Sequence, residues 1–130
     1  MTVFCTTCSA EKDEAAPLLP ALERYQSALI AKVHEESKRN GVGFLILSGQ
    51  YGLISPDEPI PYYDHLLRPE EVSAHARLCA RQLAESNVTE VLFHIPPLHS
   101  DPNLQPYLDT LRDACLMACV AFSVVEMSID

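Results

Sequence analysis

The chain has 130 residues, 48% hydrophobic and 21% charged, which suits one folded domain (1–130) and argues against wholesale disorder. Nine Lys and Arg against 18 Asp and Glu give a formal net charge of -9. So acidic a chain lacks the cations that displace counterions from phosphate backbones, which disfavours nucleic-acid and polybasic membrane-surface roles. No apolar run approaches the roughly 20 residues that cross a bilayer. Met1 to Cys5 has neither the basic nor the long apolar region of a signal peptide. The expectation is a cytoplasmic protein with no membrane partner.

Val3 to Thr6 is a short β-prone run, followed by the polar loop Cys8-Ser9-Ala10-Glu11-Lys12-Asp13. Leu18, Leu22, Tyr25, Leu29 and Val33 recur at steps of three or four and predict one helix, with Pro20 in its first turn. Lys38 and Arg39, then Asn40-Gly41, close it with basic residues and a left-handed cap. Val42 to Leu47 is continuously apolar, as in a strand buried on both faces. From Gln50 to about His65 the prolines 56, 59 and 61 predict a long irregular loop, a feature that is usually functional.

Pro69-Glu70-Glu71 starts the next helix, whose stripe is Val72, Ala76, Cys79 and Leu83. Val88 to Ile95 reads as a strand stopped by Pro96-Pro97. Ser100 or Asp101 caps a last helix with the stripe Leu104, Leu108, Leu111, Cys115 and Ala118, and Phe122 to Val125 forms a final strand. Strands alternating with helices imply parallel pairing and right-handed crossovers. The fold class is therefore α/β: a three-layer α/β/α domain with a mainly parallel sheet of about four strands, the first strand central.

In open parallel sheets ligands sit beyond the carboxyl ends of the strands. That rule selects three loops, Thr6 to Asp13, Ser48 to His65 and Pro96 to Asn103. The second is the richest. Gly49 and Gly52, half of the chain's four glycines, permit close backbone approach to a ligand. Tyr51, Tyr62 and Tyr63 offer stacking surfaces, and Asp64 offers a carboxylate to a ring N–H or a ribose hydroxyl. Lys12, with the Ser48-Gly49 backbone, is a place for one phosphate, with Ser9 beside it and Arg68 as a second nearby cation. Asp64 and Cys8 are the candidate catalytic groups, Cys8 as a nucleophile with His65 or His94 as base. The five cysteines, Cys5, Cys8, Cys79, Cys115 and Cys119, read as reduced thiols. No cofactor is expected. The alternative is a zinc site built from Cys5, Cys8, His94 and His99.

The run Leu47-Ser48-Gly49-Gln50-Tyr51-Gly52-Leu53-Ile54-Ser55-Pro56, then Pro61-Tyr62, resembles the Leu-Ser-Gly-x-Tyr-Gly…Pro…Pro-Tyr signature of the YaaA-like peroxide-stress proteins and their small bacterial relatives. Those relatives also carry a strand running into Cys-Ser-x-x-Lys and a Leu-Tyr-x-Ser-x-Leu helix. Here those positions read Cys8 to Lys12 and Arg24-Tyr25-Gln26-Ser27-Ala28-Leu29. A related signature occurs in a domain attached to archaeosine-forming tRNA-guanine transglycosylase-type enzymes, whose fold is like that of uracil-DNA glycosylases. The resemblance covers about the first half of the chain. It implies a link to DNA protection and DNA binding under peroxide stress, against which the acidic charge stands. The expected partner is a small nucleotide- or nucleobase-type ligand. The alternatives are a stress-associated DNA-binding protein and a non-catalytic partner module of a nucleic-acid modification system.

Overall fold

The computed structural model describes residues 1–9, 12–14, 17–25 and 27–128; Ala10, Glu11 and Gln26 of the motifs above lie outside the described residues. In chain order the elements are β1 (Thr2–Thr7), β2 (Leu18–Pro20), α1 (Ala21–Arg24), α2 (Ala28–Asn40), β3 (Gly43–Ser48), β4 (Gly52–Ile54), β5 (Pro59–Pro61), α3 (Val72–Glu85), β6 (Glu90–Ile95), α4 (Leu104–Met117) and β7 (Ala121–Glu126). Five strands form one sheet in the order β4-β3-β1-β6-β7, with β1 at its centre. The pairs β1–β3, β1–β6 and β6–β7 are parallel, and β3–β4 is antiparallel. The mixed three-layer α/β arrangement and the central first strand agree with the alternation of elements in the sequence.

Side-chain alternation along the strands makes two cores. Cys5, Leu47, Val91, Phe93 and Ile95 pack with Cys79, Leu83, Leu108, Leu111 and Cys115 of α3 and α4. Phe44 and Ile46 pack on the other face with Ile30 and Val33 of α2. Leu111 and Phe93 are fully buried, and truncating a side chain of that kind to Ala costs about 2–5 kcal/mol. Helix α2 ends as expected, on Gly41 at φ 65, where the left-handed region favours glycine.

Two features differ from the periodicity reading. The single helix expected over Leu18 to Val33 is broken. Leu18 lies in β2 and is exposed, α1 is one turn long, and Tyr25 is extended. Ser27 then starts α2 afresh, its Oγ accepting from the Ile30 N–H at 3.3 Å. A serine N-cap satisfies an orphan amide better than an interior helical serine does, so it wins over an apolar spacing that continues across the break by chance. The second difference is the loop after Gln50. It contains β4, a hairpin return against β3, and β5, which pairs antiparallel with β2. Three-residue strands are too short to show a period, and Pro59 and Pro61 are tolerated because the β2–β5 ribbon has only two strands.

Arg24 anchors that ribbon. It is fully buried, and its guanidinium donates to the carbonyls of Asp13, Pro17 and Ile60. A planar fork with several donors can tie three backbone segments together, which a lysine cannot.

Candidate functional site

The carboxyl end of β1, the segment Asp64 to Leu66 and the start of α4 surround a cleft of about 170 Å³. All three loops selected from the sequence reach it: Thr7, Cys8, Ser9 and Lys12 from the first, Asp64 and His65 from the second, Asp101 and Asn103 from the third. Leu66, Leu104 and Tyr107 complete the lining. Parallel strands carry successive loops to one sheet edge, so residues nearly a hundred positions apart meet there.

Lys12 is held in place. Its backbone bridges Tyr25, and its Nζ lies 4.8 Å from the Tyr63 ring centroid and 5.8 Å from that of Tyr25. Cation–π attraction over two rings restrains the ammonium beside the cleft. The rings themselves are fixed by a hydroxyl chain in which Tyr63 Oη bonds both Tyr25 Oη and, at 2.7 Å, Ser48 Oγ. Burial raises the phenols of Tyr25 and Tyr63 well above the usual range, so both hydroxyls stay protonated. Asp64 is exposed at the rim.

His65 is clamped on both sides. Its Nδ1 lies 2.6 Å from Gln50 Oε1, and its Nε2 lies 3.0 and 2.9 Å from the two Glu71 carboxylate oxygens. The His65 bond and the Arg68 N–H hold the Glu71 carboxyl below the usual range. Cys8 has Tyr107 as its thiol partner, the Sγ lying 3.9 Å from the hydroxyl. Tyr107 Oη in turn accepts from the Leu67 N–H at 3.2 Å. Neither histidine expected as a base for Cys8 bonds to it. His65 is engaged by Gln50 and Glu71, and His94 is buried with its Nδ1 on the Leu92 carbonyl at 2.9 Å.

Several predicted ligand contacts build the site instead of lining it. Ser48 is fully buried and accepts from the Gln50 and Tyr51 N–H groups at 3.0 and 3.1 Å, so it closes the β3–β4 turn. Those two amides are engaged within the turn, and Ser48 and Gly49 lie outside the cleft lining. A Cβ on Gly49 would lie 2.8 Å from the His65 carbonyl oxygen and 2.9 Å from Tyr107 Oη, so this glycine lets β3 touch the second loop and α4. Gly52 has φ 75, and a Cβ there would meet Gln82 Oε1 at 2.5 Å. Tyr51 stacks edge-on against Tyr63, and Gln82 Nε2 donates to its carbonyl. Tyr62 is exposed, and Arg68 lines an adjoining groove with Pro69 and Pro106, which meets the cleft at Leu66 and Asn103.

The four groups of the zinc alternative do not converge. Cys5 is fully buried on the α3–α4 face, whereas His94 stacks on Phe4 at 4.7 Å on the opposite face, and His99 is exposed. Strand alternation separates them, since Phe4 and Cys5 point to opposite sides of β1. Among the described residues no group of three or more His, Cys, Asp or Glu side chains is placed to hold a metal.

Thr7 and Tyr107 were missed as site residues. Thr7 falls inside the first selected loop, Thr6 to Asp13, with no signal that singles it out; Tyr107 sits three residues after Leu104 on the apolar side of α4, where its ring packs and its hydroxyl reaches the cleft. No known protein family matches the chain, and no curated protein or solved structure shows significant similarity to it. Among the described residues no helix is long and apolar enough to cross a membrane.

Proposed function

We propose that the chain binds a nucleobase-type ligand in the cleft at the carboxyl edge of its sheet. The observation that carries this reading is the convergence of three loops on one cleft, with the Lys12 ammonium and the Asp64 carboxylate both in its lining. A heteroaromatic ring presents N–H donors and carbonyl or ring-nitrogen acceptors around its edge, which a carboxylate, an ammonium and the Asn103 amide match. Leu66, Leu104 and the Tyr107 ring supply apolar surface for the ring faces. Asp64 is the carboxylate that accepts from the ring, and Cys8 contributes its side chain to the wall.

The same reading keeps the YaaA-like family as the assignment. The signature residues Ser48, Gly49 and Gly52 act as a turn code that brings the second loop onto the cleft, which explains their spacing without a direct ligand contact. The acidic charge favours a small ligand over DNA. The test is a thermal-shift screen with purines, pyrimidines and their nucleosides at millimolar concentration, followed by calorimetric titration of the best binder. A ligand at 100 times its Kd stabilises the fold by about 2.7 kcal/mol. Asp64→Asn and Lys12→Ala, both at residues that are not buried, are expected to weaken binding while leaving the unliganded melting temperature within about 2 °C. No stabilisation by any member of the panel overturns the reading.

A further inference from the structure

Behind the cleft lies a second, wider groove of about 550 Å³ that shares Thr7, Cys8, Ser9, Asp101 and Leu104 with it. It runs to the start of α2 at Ser27 and Leu29, and past Pro96 and Pro97 to Met127 and Ser128. Its chemistry differs from that of the cleft. Among the described residues hydroxyls and apolar surface dominate the lining, Asp101 is its charged side chain, and no Lys, Arg or His lines it.

Thr7 is the informative residue. Its side chain lines both cavities and is 91% buried, at 9% exposure. Yet among the described residues its hydroxyl makes no hydrogen bond. A hydroxyl facing an open groove and lacking a protein partner is placed to bond whatever fills that groove. Asp101 is also part-committed: Oδ1 accepts from the Asn103 N–H at 2.9 Å, and the carboxylate keeps further acceptor sites.

We infer that this groove is a pentose subsite, so that the ligand of the cleft is a nucleoside and not a nucleotide; the inference rests on the nucleobase reading above. A carboxylate accepts from vicinal hydroxyls of a ribose, a threonine hydroxyl bonds a third oxygen, and Leu29, Pro97 and Leu104 pack on the C–H faces of the sugar. A phosphate would be disfavoured here. It would bring its charge against the Asp101 carboxylate, and among the described residues the lining holds no Lys, Arg or His side chain to offset it; the N-termini of α2 and α4 are the positive ends beside it. The shared wall at Thr7 to Ser9 sets base and sugar side by side, as the glycosidic bond requires.

The experiment is a calorimetric comparison of free base, ribonucleoside, 2′-deoxyribonucleoside and 5′-monophosphate of the best-binding base, on the wild type and on Asp101→Ala and Thr7→Val. The ribonucleoside is expected to bind at least about tenfold tighter than the free base and than the monophosphate, and the deoxyribonucleoside in between. Asp101→Ala, at an exposed position, is expected to erase most of that advantage, so that the ribonucleoside binds the variant no more than about twofold tighter than the free base does. Thr7→Val keeps the side-chain shape and loses the hydroxyl, and circular dichroism confirms its fold. Free base binding as tightly as its ribonucleoside overturns the sugar subsite and leaves the base cleft standing. A monophosphate that binds tighter overturns it in favour of an anion site. If base, nucleoside and monophosphate all fail to bind, the cleft reading falls, and the subsite with it.

Discussion

Gly49→Ala is the substitution that most directly probes how the site is assembled. The added Cβ would stand 2.8 Å from the His65 carbonyl oxygen, 2.9 Å from Tyr107 Oη and 3.2 Å from the Leu67 nitrogen. Two of these are backbone atoms, and the third belongs to a buried tyrosine held by its own bond to Leu67. None can retreat cheaply, and overpacking of this kind costs about 1–3 kcal/mol. With about 2.1 cal/mol/K of unfolding entropy per residue, 130 residues give about 270 cal/mol/K, so the melting temperature should fall by about 4–11 °C. The strain has an identified partner, which allows a stricter test. Tyr107→Phe removes the atom at 2.9 Å, so the double variant should be less destabilised than the sum of the singles by about 0.5–1.5 kcal/mol. Differential scanning calorimetry on the four proteins completes the cycle. Additivity within about 0.3 kcal/mol, or a Gly49→Ala shift under about 2 °C, would show that β3 does not press on the second loop and α4 at this point.

The remaining predictions concern the two cores and the ribbon. Arg24→Ala should cost about 3–5 kcal/mol in urea denaturation, because it strips buried carbonyls of their charged donor. Arg24→Lys should recover only part of that, and a loss under about 1 kcal/mol for Arg24→Ala would refute the anchoring role. In thiol labelling of the native protein, exposed Cys119 should react first and half-buried Cys8 more slowly, while Cys5, Cys79 and Cys115 react only on unfolding. Stability should also fall on both sides of neutrality. Burial pushes the Cys79 and Cys115 thiols up to about 12 and raises the Tyr25, Tyr63 and Tyr107 phenols, so the unfolded chain binds fewer protons and stability drops as pH climbs from about 9 towards 12. Burial lowers the pKa of His94, so only the unfolded chain takes up that proton and stability drops as pH falls below about 6.5. His94→Phe should flatten the acid limb; an unchanged limb would exclude His94 as its source.

The sheet was legible because its signals are long. Val42 to Leu47 is a continuous apolar run, Val88 to Ile95 is a β-rich run stopped by Pro96-Pro97, and the parallel alternation of elements put β1 in the middle and three loops at one edge. What stayed hidden was short or set by tertiary contact. β4 and β5 are three residues each, and the break at Tyr25 to Ser27 arises from a cap and a bridge to Lys12 that no period reveals. The site was legible at the level of loops but only partly at the level of residues. Cys8, Ser9, Lys12 and Asp64 line the cleft as expected. Ser48, Gly49, Tyr51 and Gly52 stood out in the sequence because they build a tight turn, and a turn code resembles a ligand code until the hydrogen bonds are seen. Tyr107 looked like an ordinary helix residue, since a polar tip on a packed side chain leaves no mark on an apolar pattern, and Thr7 lay in the first loop with nothing to distinguish it from its neighbours.

The central claim is that one ligand engages all three loops at once, and amide chemical-shift mapping during titration with the best-binding nucleoside tests it most directly. The account predicts that Thr7 to Ser9, Asp64 to Leu66 and Asp101 to Leu104 shift together along a single saturating curve, with Ser27 and Leu29 joining them only when the sugar is present. Shifts confined to one loop, or centred on Arg68, Pro69 and Gln105 with Thr7 to Ser9 unmoved, would contradict it.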